Sequence, residues 1–219
     1  MRHVFIVADD HPLFRGALKE ILSSRPDGAE IVEAADFDEA AAALAANPDA
    51  DLMLLDLAMP GTSGLTGLAL LRADHPTVPI AIVSATEEAG VIARALDLGA
   101  AGFIPKSAGF EEIRRAIAAL LSGETWLPAD FVLGERADPE TADLIQRIRT
   151  LTPQQTRVLT MLARGLLNKQ IAYELGISEA TIKAHVSAVL TKLGVDSRTQ
   201  AVIRLSKLGL DPERGITAG

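Results

Sequence analysis

Five short strand-like runs recur through the first half of the chain, at 4–8, 30–34, 52–55, 80–83 and 102–104, and longer stretches of helical character separate them. No other feature restricts the fold as strongly. Runs such as Leu52-Met-Leu-Leu55 and Ile80-Ala-Ile-Val83 have no polar face at all. A strand that is apolar on both sides needs cover on both sides, which is the condition inside a parallel sheet flanked by helices. The helical stretches at 13–23, 37–46, 64–72, 87–98 and 111–121 have lengths suited to right-handed crossovers between such strands. The first 121 residues are therefore expected to form an α/β domain with a parallel sheet and helices on both faces.

The pattern stops at Ser122. Residues 122–150, punctuated by Gly123, Pro128, Gly134 and Pro139, read as a linker that is helical over 139–149. Trp126, the only tryptophan, is expected to pack this linker onto a domain. From Leu151 to the end there are no strand signals. Thr152-Pro153 is a helix start, and helical stretches follow at 153–163, 168–175, 179–193 and 198–208. Gly165, Gly176, Gly194 and Gly209 stand where C-terminal caps are expected. Residues 151–219 thus read as a small all-helical domain.

Charge divides the chain the same way. Net charge is −9 over residues 1–120, −3 over 121–150 and +4 over 151–219. A basic tail behind an acidic front implies different partners for the two, with a polyanion for the tail. There is no cysteine, which excludes disulfides and thiolate metal sites. There is also no run of ~18 apolar residues, so no membrane-spanning helix is expected. Met1-Arg-His-Val enters a strand directly and lacks the apolar stretch of a secretory leader, so a cytoplasmic protein is expected.

Charged residues sit just past three of the strand-like runs. Asp9 and Asp10 end the first, Asp56 ends the third and Lys106 follows the fifth. In an open α/β sheet of order 2-1-3-4-5, strands 1 and 3 are neighbours and ligands bind outside their carboxyl ends. The three carboxylates would converge there and repel one another unless a cation intervened. All-oxygen ligands select a hard divalent ion, Mg²⁺ in the first place, with Lys106 supplying further compensation. A carboxylate so placed can accept a phosphoryl group as an aspartyl-phosphate. Ser84, at the end of the fourth run, is placed to donate a hydrogen bond to it. Each residue alone is usually a turn or cap; the constellation makes the site. Other motifs fail. Gly61-Thr-Ser-Gly64-Leu-Thr-Gly67 lacks dinucleotide-loop spacing, Gly102-Phe-Ile-Pro-Lys106-Ser107 lacks the glycine before lysine of a P-loop, and the four histidines show no metal-ligand spacing. His11 is read as part of the start of the first helix.

With these residues in view, Ala8-Asp9-Asp10-His-Pro-Leu-Phe14, Leu55-Asp56-Leu-Ala-Met-Pro-Gly61, Ser84-Ala85 and Gly99-Ala-Ala-Gly-Phe-Ile-Pro-Lys106 resemble a response-regulator receiver domain. The resemblance implies a flavodoxin-like (βα)5 fold with Asp56 as phosphoacceptor. It further implies Mg²⁺ held by Asp10, by Asp9 directly or through water, by Asp56 and by the backbone carbonyl of Ala58. Ser84 and Phe103 are similar to the family's switch pair: the hydroxyl moves toward the phosphoryl group and the ring follows inward. Ala58 and Thr86 fall at positions that tune dephosphorylation. The phosphoryl group would come from a sensor histidine kinase.

In the tail, 168–175, Gly176-Ile-Ser178 and 179–193 read as helix, turn, helix. Ile182, Val186, Val189, Leu190 and Leu193 form an apolar stripe, while Lys183, Ala184, Ser187 and Thr191 face the other way. A small, mixed face of this kind can enter a major groove. Ser178 is a good N-cap. Leu151-Thr-Pro, Asn168-Lys-Gln-Ile-Ala172, Leu175-Gly-Ile-Ser178, Ala180-Thr-Ile-Lys-Ala-His-Val186 and Lys192-Leu-Gly-Val195 resemble a four-helix LuxR-type output domain. Together the two halves are similar to the NarL/FixJ class of response regulators. By that resemblance Lys183, Ala184 and Ser187 read base edges, and Asn168, Lys169, Thr181 and His185 contact the DNA backbone. The last helix pairs two subunits. Two departures stand out: Gln154-Gln-Thr-Arg157 lacks the acidic residues usual after Leu-Thr-Pro, and Gln170 stands where glutamate is common.

The expected function is a transcriptional regulator in which phosphorylation switches dimerisation and binding to double-stranded promoter DNA. It is not an enzyme beyond self-phosphorylation from a phosphodonor and slow autodephosphorylation. A second reading is an interaction protein whose tail dimerises without reading DNA. A third, an aspartate-nucleophile phosphatase of the haloacid-dehalogenase kind, needs a second Asp two residues after the nucleophile; Ala58 stands there.

Overall fold

A computed structural model describes residues 3–25, 28–61, 64–131 and 139–207. The chain divides into two compact units, Met1–Gly134 and Glu135–Gly219.

The first unit alternates β1 (His3–Ala8), α1 (Pro12–Ser23), β2 (Ala29–Ala34), α2 (Phe37–Ala46), β3 (Leu52–Asp56), α3 (Leu65–Asp74), β4 (Ile80–Ser84), α4 (Ala89–Asp97), β5 (Gly102–Pro105) and α5 (Phe110–Leu121). All five strands are parallel, in the order β2-β1-β3-β4-β5. Every residue of β3, β4 and β5 is buried, as their unbroken apolar runs require. Alternation distributes their side chains between two layers. Phe5, Val7, Leu52, Leu54, Ala81, Val83 and Ile104 pack with Leu18, Ile21 and Leu22 of α1 and Ile113, Ala116, Ile117 and Leu120 of α5. The opposite parity, including Ile6, Met53, Leu55, Ile82 and Phe103, is equally buried, and α2, α3 and α4 belong to that side.

Residues after α5 extend this sheet. Trp126 forms a parallel bridge with Gly102, and its carbonyl accepts a hydrogen bond from the Phe103 N–H at 2.8 Å. The Trp126 ring packs against the α1–α5 core. Gly102 is required by this approach: a Cβ there would lie 2.7 Å from the Trp126 carbonyl oxygen and 2.9 Å from Leu120 Cδ2. Gly102→Ala is therefore expected to lower the stability of the first unit by about 1–3 kcal/mol, the cost of overpacking a filled site. Thermal unfolding measures it, and an unchanged midpoint contradicts the packing described.

The second unit consists of α6 (Pro139–Arg149), α7 (Pro153–Ala163), α8 (Asn168–Leu175), α9 (Glu179–Leu193) and α10 (Arg198–Lys207). Val158, Leu162, Ile171, Ala172 and Ile182 form its central cluster. The division between units falls inside the stretch read as a linker. Trp126 pairs with the sheet of the first unit, whereas α6 packs on α9 and buries Leu144, Ile145 and Ile148. Gly209 and Leu208 lie outside the described residues. Gly176 and Gly194 end α8 and α9 in the left-handed conformation, φ 64° and 66°, which turns the chain sharply between helices.

Two of the glutamines that depart from the resemblance, Gln155 and Gln170, have structural work. Gln155 Oε1 accepts the Thr152 N–H at 3.1 Å while Thr152 Oγ1 accepts the Gln155 N–H, closing a capping box at α7. Gln170 Oε1 accepts the Leu167 N–H at 2.7 Å at the start of α8. A neutral amide performs the reach-back contact that a carboxylate makes elsewhere.

Candidate functional site

The carboxyl ends of β1, β3, β4 and β5 meet at one edge of the sheet, and the apolar register of each strand delivers one polar residue there. Asp9 follows β1, Asp56 ends β3 and Ser84 ends β4; all three are buried. Lys106 follows β5, its N–H held by the Ser84 carbonyl at 2.8 Å. The Lys106 ammonium sits between two carboxylates, 2.7 Å from Asp56 Oδ2 and 2.8 Å from Asp9 Oδ2. Its approach is shared by the Phe14 ring, 5.1 Å away. Asp56 Oδ1 accepts the Ala58 N–H at 3.1 Å, and the Arg15 guanidinium donates to the Asp9 carbonyl at 2.6 Å. Asp56, Ala58, Ser84, Lys106 and Phe14 line a cavity of about 470 Å³ together with His11, Leu13, Ala85 and Thr86.

Electrostatics in the pocket are unbalanced. Burial pushes the Asp56 carboxyl above the usual carboxylate range, against the pull of Lys106. Burial also opposes the Lys106 charge, but its hydrogen bonds to Asp56 and Asp9 prevail and hold the ammonium above its ordinary value. One ammonium thus serves Asp9 and Asp56, and Asp10 stands in the same cluster, an arrangement suited to an additional cation. Ligand atoms of Asp9, Asp10, His11 and Asp56 all lie within 4.8 Å of one another, close enough for a single ion. The three carboxylates fit the oxygen chemistry that Mg²⁺ requires.

Ser84 Oγ accepts the Thr86 N–H at 3.1 Å, so the hydroxyl serves the loop after β4 in this state. Phe103 is fully buried beside Ile82; its ring already lies in the interior. One participant escaped the sequence reading. His11 stands at the N-cap of α1 but its side chain makes no capping hydrogen bond. It turns instead to the acids, with Nδ1 2.6 Å from Asp10 Oδ1 and 3.3 Å from Asp9 Oδ1. Histidine-to-histidine spacing cannot reveal a ring whose neighbours are aspartates. Adjacency to the Asp pair was the available signal.

In the second unit, Ile182, Val189 and Leu193 are buried, and Thr181, Lys183, Ala184, Ser187 and Thr191 are exposed along α9. Val186, Leu190 and His185 are half-buried, as is Asn168, and Lys169 is exposed. Ser178 caps α9, its Oγ accepting the Thr181 N–H at 3.1 Å. Several cations of this unit are committed internally. Arg198 donates to the Leu162 and Leu166 carbonyls, Arg204 to that of Leu193 and Lys192 to that of Thr150. These are carbonyls near the ends of α7, α9 and α6, where positive charge is favoured. Lys183 is held only by an exposed i, i+4 contact with Glu179 at 3.4 Å, a pair of small energetic weight.

A parallel sheet with a carboxylate–ammonium pocket at its carboxyl edge, joined to a helix-turn-helix, defines a receiver coupled to a DNA-binding output domain. Comparison with known proteins agrees. The response regulator receiver domain family matches residues 5–118, and the luxR family of bacterial regulatory proteins matches residues 149–205. The chain is 43% identical over 204 residues to the glycerol metabolism activator of Pseudomonas putida, covering 90% of this chain and 92% of that protein. It is 34% identical over 200 residues to the nitrate/nitrite response regulator protein NarL of Escherichia coli K12, with coverage of 90% and 92%. Among solved structures, that of two RcsB dimers bound to two parallel DNAs matches 94% of this chain and 98% of that chain, at 26% identity and a TM-score of 0.53. The chain belongs to the NarL/FixJ class of response regulators, which are phosphorylation-dependent regulators of transcription. Among the described residues no helix is long and apolar enough to cross a membrane.

Proposed function

We propose that Asp56 accepts a phosphoryl group from a sensor histidine kinase in a Mg²⁺-dependent reaction, and that this charge switches dimerisation and promoter binding in the cytoplasm. One observation carries the reading: Lys106 bridges Asp56 and Asp9 at 2.7 and 2.8 Å, with Asp10 beside them at the same sheet edge. An Asp56 oxygen attacks phosphorus as the bond to the donor's imidazole nitrogen breaks, and the imidazole leaves with the bonding pair. The transferring group gains no charge that the pocket cannot meet: Lys106 turns its donors to phosphoryl oxygens, and Ser84 exchanges the Thr86 N–H for one of them. Mg²⁺, held by Asp9, Asp10, Asp56 and the Ala58 carbonyl, would neutralise the remaining negative charge. Motion of Ser84 opens space beside Phe103, and the two-state receiver is biased. Water reaching past Ala58 and Thr86 hydrolyses the acyl phosphate slowly.

In the output domain the exposed face of α9 enters the major groove. Lys183, Ala184 and Ser187 meet base edges; Asn168, Lys169, Thr181 and His185 meet phosphates. Two copies pair through α10 and read two half-sites. Lys183→Ala is expected to weaken binding to a specific site by about tenfold, the range for one base contact, with α9 intact by circular dichroism. Unchanged affinity in a mobility-shift assay rejects this readout. Binding of the wild-type protein should fall steeply with salt as counterions are released; a tail that only dimerises shows no such dependence.

A further inference from the structure

We propose that His11 is a ligand of the divalent ion held by Asp9, Asp10 and Asp56, and that its imidazole makes this pocket prefer Mn²⁺ to Mg²⁺. The proposal rests on the metal-binding reading of the acid pocket above and adds a donor that the carboxylate chemistry does not include.

Geometry comes first. His11 Nδ1 lies 2.6 Å from Asp10 Oδ1, 3.3 Å from Asp9 Oδ1 and 4.0 Å from Asp56 Oδ2. With metal–ligand bonds of about 2.1 Å, an octahedral ion separates adjacent ligands by roughly 3.0 Å and opposite ones by roughly 4.2 Å. The contacts to Asp9 and Asp56 fall close to those separations, and the contact to Asp10 has to open by roughly 0.4 Å. Ligand atoms of all four residues lie within 4.8 Å of one another.

The backbone that carries the ring is fixed by its neighbours. The His11 N–H is held by Asp9 Oδ1 at 2.8 Å, and its carbonyl accepts the Arg15 N–H at 3.0 Å as α1 begins. Pro12 follows at the first helical position, which restricts the backbone further. An N-cap side chain ordinarily earns its place by accepting a backbone N–H, and His11 accepts none. Its inner nitrogen faces the carboxylates while the side chain as a whole is 63% exposed, so the ring can be replaced without opening the core. Among the described residues no other histidine belongs to this cluster.

Chemistry then sets the preference. Mg²⁺ favours oxygen donors and keeps much of its water, whereas imidazole is a good ligand for the transition metals. Mn²⁺ keeps the octahedral, oxygen-rich coordination that three carboxylates supply and gains from one nitrogen. A ring present only as a counter-charge to the acids would instead compete with every cation alike.

The test uses the full-length protein and two metal ions, Mn²⁺ and Mg²⁺. Electron spin-echo spectra of Mn²⁺-loaded wild-type protein are expected to show ¹⁴N modulation from a directly bound imidazole, absent in His11→Ala. The ratio of the Mg²⁺ to the Mn²⁺ dissociation constant is expected to fall by about tenfold in His11→Ala, with Mg²⁺ binding retained. His11→Gln, which keeps polarity and length, should behave as His11→Ala does. Absence of ¹⁴N modulation in the wild type, or an unchanged ratio in the variants, overturns the proposal. Wild-type protein that binds neither ion overturns the acid-pocket reading with it, whereas Mg²⁺ binding without nitrogen coupling overturns this proposal alone.

Discussion

Asp56→Asn protein, given a small-molecule phosphodonor and Mg²⁺, is expected to incorporate less than ~1% of the phosphoryl group taken up by the wild type. The asparagine amide has nearly the same shape, so the packing of β3 is undisturbed. It lacks the ionised oxygen that attacks phosphorus. A built-in control distinguishes loss of chemistry from loss of fold. Burial raises the Asp56 carboxyl in the folded state, so its ionised form is disfavoured by folding. For a group raised in this way, stability is greatest at low pH and declines as pH climbs through the folded value. Replacing it with a neutral amide removes that penalty, and Asp56→Asn should unfold no earlier than the wild type near pH 7. Equal labelling of the two proteins removes Asp56 from the mechanism. Mass spectrometry locates the modified residue.

The second large effect falls on Lys106. Lys106→Met keeps much of the aliphatic stem but leaves Asp9 and Asp56, both 1% exposed, without their shared ammonium. Breaking a buried ion pair from one side costs about 3 kcal/mol or more. In chelator, that lowers the melting temperature of the receiver by roughly 10 °C. The Lys106 pKa is raised above its ordinary value of 10.5, so its contribution is fully present at neutral pH and is lost only as pH rises through the folded value. A divalent cation answers the same carboxylates. Saturating Mg²⁺ is therefore expected to recover much of the loss, and to stabilise Lys106→Met more than the wild type. A deficit of equal size with and without Mg²⁺ contradicts the assignment of one compensating role to ammonium and ion.

Much of this pocket is legible in the sequence, because the information is local. Leu52–Leu55 and Ile80–Val83 have no polar face, so they must lie inside a parallel sheet, and whatever polar residue follows such a strand emerges at its carboxyl edge. That logic places Asp9, Asp56, Ser84 and Lys106 together from four separate segments. It does not place His11. A histidine before a proline at a helix start has a sufficient local explanation, and only the three-dimensional direction of its ring shows that the explanation is incomplete. In the segment 122–150 the helix over 139–149 and the packing of Trp126 onto a domain are legible, but the backbone pairing of Trp126 and the partner of the helix are not. Pro, Gly and polar residues there signal irregular chain, yet Trp126 pairs its backbone with β5 because Gly102 leaves room. Leu144, Ile145 and Ile148 form a single narrow stripe whose partner, α9, is more than 30 residues on. Charge in the tail indicates the partner but not the residues that meet it. Its positive balance points to a polyanion, but Lys192, Arg198 and Arg204 hold helix-terminal carbonyls. Lys183 and Lys169 are exposed cations on the two helices of the helix-turn-helix.

Control of DNA binding from Asp56 is tested most directly by the affinity of full-length protein for genomic fragments it selects, measured with and without phosphodonor and Mg²⁺, for the wild type and for Asp56→Asn. Phosphorylation is expected to change wild-type affinity and to leave that of Asp56→Asn as it was. The same change in both proteins, or none in a wild-type protein labelled at Asp56, would contradict control of DNA binding from this carboxylate.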